Sequence, residues 1–169
     1  MSTPGFAAVD VHYPASGGAQ AALVLASDRT FTEIVAEKTA FVAHVAPYVP
    51  GQFLRRELLP PLRAVLEGVA GIELLVIDGY VDLDSDGRPG LGAHAHAEFG
   101  FPVIGVAKTP FATATHAIPV LRGRAIRPLY VTAAGISAAS AAEMVRVMSG
   151  DFRLPDALRR VDALSREAE

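Results

Sequence analysis

Three carboxylates occupy positions where chemistry is worth asking about. Asp10 interrupts the apolar run of FAAVDVHY, Asp78 interrupts that of IELLVIDGY, and Glu57 follows two arginines in PYVPGQFLRRE. An unpaired carboxylate is too unfavourable to stay inside an apolar strand. Asp10 and Asp78 are therefore expected at the edge of a sheet, facing a cation or a solvent-filled cleft. A strand-end aspartate also serves as a turn-former or helix cap, and for either one alone both readings stand. Taken with Glu57, three converging oxygen ligands would suit Mg²⁺ or Mn²⁺, ions that polarise a phosphodiester and generate an attacking hydroxide.

The elements that must bring these acids together follow from the apolar pattern. FAAVDVHY reads as a strand, the glycines at 17 and 18 as a turn, AQAALVLAS as a second strand and EIVAEKTAFVA as a third. Their short connections make an antiparallel meander. From Gly51, apolar residues at 54, 58, 59, 62, 65, 66 and 69 recur at helical spacing, which predicts a helix over 51–69, bent or interrupted by Pro60 and Pro61. IELLVIDGY is nearly continuous in apolar residues, the pattern of a strand buried on both faces. GAHAHAEFG suits a short helix, and FPVIGVAK and IRPLYVTAA two further strands. Helices are predicted over 137–149, capped by Ser137 and ended by Gly150, and over 155–167. The fold class is α/β, a mixed sheet with helices on its faces, forming a single domain over residues 1–169.

Composition agrees with that reading. At 169 residues, 51% of them hydrophobic, the chain can bury one sizeable core. With no cysteine, disulfides, thiolate metal sites and a cysteine nucleophile are excluded, as suits a reducing cytoplasm. No segment approaches the roughly 18 apolar residues of a membrane span, so the expectation is a cytoplasmic protein without a membrane partner. The net charge of −3 is unevenly spread: no acid lies between Glu98 and Glu143, while Lys108, Arg122, Arg124 and Arg127 give that stretch +4. Such a stretch either forms an anion-attracting face or is simply sparse in charge because it is mostly apolar.

An acid on the first strand, a second on the helix after a three-strand meander and a third at the end of the next strand is the order found in ribonuclease H-like nucleases. VDVHY, PYVPGQFLRRELLPPL, LLVIDGY, GLGAHAHAEFGFPVIGVAK, RPLYVTAAG and RLPDALRRVD together resemble, in order and spacing, the endonuclease V family over about residues 7–165. Members of that family nick DNA, and some of them RNA, near a deaminated purine such as inosine. The resemblance implies a ribonuclease H-like fold, Mg²⁺ or Mn²⁺ as cofactor, DNA as partner with RNA as the alternative, and a role in nucleic-acid repair. It implies Asp10, Glu57 and Asp78 as catalytic metal ligands, and Lys108 near the reacting phosphate, where a cation stabilises developing charge.

It also implies that Tyr48, framed by Pro47, Val49 and Pro50, is a wedge beside the damaged base. Proline fixes φ and restricts the residue before it, so a ring held there loses little entropy on entering a base stack. Stacking on an aromatic is worth about 1–3 kcal/mol per base. Gly51, Phe53, Gly79 and Leu91 fall where family members line the base pocket. Pro155, Arg159 and Asp162 match the closing motif and are read as mainly structural, with Arg153 and Arg160 as phosphate contacts.

The chain departs from the family in two places. Most members follow the strand ending in VT with a Pro-Gly-His run whose histidine helps hold metal, and here the run is VTAAGIS. That gap supports an alternative function, a nucleic-acid-binding homologue with little or no cleavage activity. The second departure, YVDLDSDGRPG, copies the first half of a calcium loop with Asp82, Asp84, Asp86 and Gly87. Its twelfth position is Ala93 where a bidentate acid is required, so a polar turn is expected over a calcium-binding regulator. His94 aligns with a family histidine, and a structural role stands beside a functional one.

Overall fold

The structure is a computed structural model that describes residues 4–43 and 59–168. Its three N-terminal strands, β1 (Phe6–His12), β2 (Ala19–Ala26) and β3 (Ile34–Val42), form the expected antiparallel meander. β1 pairs on its other side with β4 (Leu74–Asp78), in parallel, and β4 pairs in parallel with β5 (Val103–Ala107). The sheet is completed by β6 (Ile118–Val120) and β7 (Leu129–Ala134), giving the order β3-β2-β1-β4-β5-β7-β6. β6 has no counterpart among the sequence expectations. Its three residues include Pro119, which an edge strand tolerates because one side of the ladder is unpaired.

Among the described residues, four α-helices cover the sheet: α1 (Leu59–Leu66), α2 (Leu91–Phe99), α3 (Ala138–Val147) and α4 (Asp156–Ser165). Of the helix predicted over 51–69, the described part stops at Leu66. Pro60 and Pro61, where a bend or interruption was expected, are the second and third residues of the described helix, and the residues before Leu59 lie outside the described residues. Ser137 caps α3 as anticipated, its Oγ accepting from the Ser140 N–H at 3.1 Å.

Side-chain alternation along the strands sorts the core into two faces. Ala7, Val9, Leu23, Leu75 and Ile77 pack with Leu62 and Val65 of α1 and Ala95 of α2. Ala8, Val24, Val76, Ile104 and Val106 pack with Val145 of α3 and Leu158 and Val161 of α4. β4 and β5 are thus buried on both sides, which is why they read as unbroken apolar runs. Among the described residues, no helix is long and apolar enough to cross a membrane.

Candidate active site

Because β1, β4 and β5 are adjacent and parallel, equivalent positions on them reach the same end of the sheet together. Val9 pairs with Ile77 and Asp78 with Val106, so Asp10 and Asp78 stand side by side where the pairing of β1 with β4 ends. Both continue the alternation of Ala8 and Val76, which puts them on the face that α4 covers. Lys108 follows Val106 by two residues and falls in the same row. Its Nζ lies 3.1 Å from Asp78 Oδ2.

The chain can leave this row only because β5 carries a glycine. A Cβ on Gly105 would collide with the Gly79 carbonyl, the Thr132 hydroxyl and the Val81 nitrogen. With that space free, the segment after Asp78 folds back across β5, and the Val81 N–H donates to Thr132 Oγ1 at 2.8 Å.

The electrostatics of the row are those of crowded acids. Burial, and next the charge of Asp78, push the Asp10 carboxyl up to about 7, against the hydrogen bond it accepts from the Val11 N–H at 2.9 Å. The charge of Asp162 adds to the rise and that of Lys108 opposes it. Burial alone would lower the Lys108 ammonium, yet Asp78, with Asp162 and Asp10 behind it, holds it above its ordinary value. Asp162, read from sequence as mainly structural, therefore belongs to the electrostatics of this row. α4 carries it down onto the ends of β1, and it also accepts from Arg166 Nε at 3.1 Å. Its sequence signal was the closing RLPDALRRVD motif, which names the residue but not the surface it meets.

Behind the acids, a cavity of about 90 Å³ bounded by Val9, Val11, Leu62, Ile77 and Leu91 opens on Asp10 and Asp78. Leu91 thus borders the acids, and Gly79 directly follows one of them. Pro47, Tyr48, Val49, Pro50, Gly51, Phe53 and Glu57 lie outside the described residues. Among the described residues, no three His, Asp or Glu side chains form a group that could hold a metal ion. The two carboxylates that do stand together nevertheless have the right chemistry for a hard divalent cation. They are oxygen donors, and burial first, with the charge of Asp78 second, raises the Asp10 carboxyl to about 7, a penalty on its charged form that a cation would relieve.

Other sequence assignments change in three dimensions. Arg153 is no free phosphate contact: its guanidinium donates to the carbonyls of Arg127 (3.1 Å), Lys108 (2.5 Å) and Pro128 (2.7 Å). Arg160 is engaged with Glu37 at 2.5 and 2.9 Å. Arg159 lies over the Phe152 ring, 4.3 Å from its centre. DLDSDG forms the expected polar turn, with Asp84 Oδ1 accepting from the Asp86 and Arg88 N–H groups, each at 3.0 Å.

The turn in VTAAGIS, where a metal-holding histidine was expected, belongs to the other end of the sheet. β7 runs antiparallel to β5, so Ala134 pairs with Val103 at the start of β5, while Lys108 lies past its end. Gly135 there packs against His96, whose Nδ1 is hydrogen-bonded to the Phe101 carbonyl at 2.8 Å.

A three-strand meander continued by two parallel strands, with acids at the ends of the first and fourth, defines a ribonuclease H-like domain. The endonuclease V family model matches residues 3–130. Endonuclease V of Streptomyces coelicolor is 35% identical over 182 residues, spanning 95% of this chain and 77% of that relative. The crystal structure of endonuclease V from Streptomyces avermitilis superposes with a TM-score of 0.79 at 30% identity, covering 99% of this chain and 82% of that one. Endonuclease V of Ciona intestinalis, solved with a 24mer DNA containing an inosine followed by a ribo-adenosine, shares the fold at a TM-score of 0.74 and 18% identity, over 96% of this chain and 84% of that one. The chain belongs to the endonuclease V family, a family of nucleases.

Proposed function

We propose that this protein hydrolyses a phosphodiester bond near a deaminated base, inosine, in DNA, with RNA as the alternative substrate, as a step in nucleic-acid repair. The observation that carries the reading is the row of Asp10, Asp78 and Lys108 at one end of three parallel strands, in a chain of the endonuclease V family. The inosine-containing DNA bound by the Ciona relative supports the substrate class.

In this reading Asp10, Asp78 and Glu57 hold Mg²⁺ or Mn²⁺, which when bound polarises the phosphodiester and supplies the hydroxide. Lys108, whose side chain is 42% exposed, exchanges part of its contact with Asp78 for a phosphate oxygen and stabilises the charge that develops there. Asp10 gives up its proton when the site fills, because its carboxyl is held near 7 by burial and by Asp78. Leu91 walls the cavity beside the acids, and Tyr48 with its flanking prolines wedges the base stack. The alternative of a homologue that binds without cleaving rested on the missing histidine. The turn concerned lies at the opposite end of β5 from Lys108, so its sequence does not bear on this row.

The test is cleavage of single-stranded and duplex oligonucleotides carrying inosine, with Mg²⁺ and Mn²⁺ titrated separately and Asp78→Asn as the control for contaminating nuclease. Metal-dependent cleavage that the variant loses is expected. Binding of the oligonucleotide with no cleavage above the variant's background would overturn the reading in favour of the non-cleaving homologue.

A further inference from the structure

The acid-free stretch between Glu98 and Glu143 places its cations in three different situations. Lys108 pairs with Asp78, and Arg122 is buried under backbone carbonyls. Arg124 and Arg127 are exposed, and among the described residues their side chains have no hydrogen-bond or ion-pair partner. Between them stands Ile126, 94% exposed. A large apolar side chain held almost wholly in water, flanked by two unpaired arginines, is an arrangement that the fold itself does not use.

The turn that presents these residues is braced on both sides. The Ala125 N–H donates to the Arg122 carbonyl at 3.1 Å, and Gly123, at φ 56°, packs so tightly on the Asp151 carbonyl that no side chain would fit. Below it, Arg122 Nε donates to the Phe152 carbonyl at 3.3 Å. On the other side, one Arg153 nitrogen donates to both the Pro128 carbonyl, at 2.7 Å, and the Lys108 carbonyl, at 2.5 Å. The root of the turn is therefore tied to the backbone of the residue whose ammonium meets Asp78. From Pro128 to Arg124 is at most about 14 Å of extended chain, roughly the rise of four base pairs.

We propose that this turn, residues 121–127, is a backbone clamp for duplex DNA next to the reacting phosphate. Arg124 and Arg127 take phosphates of the flank, and Ile126 lies against the sugar edge between them. The inference rests on the reading of this chain as a DNA-cleaving enzyme. Guanidinium pairs bidentately with phosphate, and apolar side chains set among arginines are a recurring minor-groove device. Braces that fix the turn before binding reduce the entropy lost on contact. Such contacts orient the duplex and add affinity without reading sequence.

The test is the salt dependence of binding, measured by fluorescence anisotropy with an inosine-containing duplex in the presence of chelator. Each phosphate contact contributes a slope of about 0.9 in log affinity against log salt. The double variant Arg124→Gln/Arg127→Gln should flatten the wild-type slope by about 2 and weaken binding by on the order of tenfold. Ile126→Ser should weaken binding with the slope unchanged. Thermal unfolding of the variants should match the wild type, as expected for exposed positions. A double variant with the wild-type slope would overturn the clamp, and would leave a protein-docking role for Ile126. A wild type that binds no duplex would overturn both the clamp and the reading on which it rests.

Discussion

Lys108 and Arg122 carry the same charge in the same acid-free stretch, yet the fold uses them in opposite ways. Arg122 is 3% exposed and donates to the carbonyls of Val145 (2.8 Å), Arg146 (3.3 Å), Met148 (2.8 Å), Gly150 (3.0 Å) and Phe152 (3.3 Å). Val145 and Arg146 lie in the last turn of α3 and Met148 is its C-cap, so the guanidinium adds donors at the helix end where the dipole is negative, including to the Val145 carbonyl, which also accepts from the Met148 N–H. Lys108 has a half-exposed side chain and an ion pair with one carboxylate in a row of crowded acids. A cation whose donors are all taken by main chain is a strut. One with donors to spare beside a carboxylate can still receive an anion. The sign of a residue does not separate the two roles; the hydrogen bonds left over do.

That contrast is easiest to break at the strut. Arg122→Met should leave several buried carbonyls without this donor, at about 1–3 kcal/mol for each group left unsatisfied and about 3–5 kcal/mol together. For a chain of this size that lowers Tm by about 10 °C, read by circular dichroism, and an unchanged Tm would end the distinction. Lys108→Met should do the reverse. A partly exposed pair is worth about 0–1 kcal/mol, so Tm should move by under about 3 °C. Cleavage should meanwhile fall about 10²–10³-fold, as for other transition-state donors, and comparable losses of stability and rate would show Lys108 to be a strut as well.

The pH dependence of stability sharpens the acid side. The Asp10 carboxyl is raised in the folded protein to about 7 from an ordinary value of 3.8. Between those values the folded state holds more protons than the unfolded one. Stability should therefore fall as pH rises from about 4 to about 7 and level off above. Measured without divalent ions, the loss of Tm between pH 5 and pH 8 should shrink in Asp10→Asn. A loss just as large in the variant would assign the pH dependence to another group.

The sequence made some of this legible and hid the rest for physical reasons. A single carboxylate in an apolar run marks both a buried strand and its open end, and so β1, β4, Asp10 and Asp78 could be read directly. β6 could not, because three residues containing Pro119 carry no periodicity. The role of Arg122 was hidden because its partners are main-chain carbonyls 23 to 30 residues downstream, which leave no side-chain signature. Asp162 stood in a motif, but only the packing of α4 across β1 shows that its charge reaches Asp10. The VTAAGIS turn was located correctly along the chain, yet the antiparallel sense of β7 decides which end of the sheet it serves.

If the ends of β1 and β4 hold two carboxylates in need of a cation, the most direct measurement is thermal unfolding at pH 8 while Mn²⁺ is titrated into wild type, Asp10→Asn and Asp78→Asn. Binding to the folded state alone should raise the wild-type Tm progressively with Mn²⁺ concentration, and either substitution should abolish most of that rise. A wild type indifferent to Mn²⁺, or variants that respond as it does, would contradict the assignment of these two aspartates to a cation site.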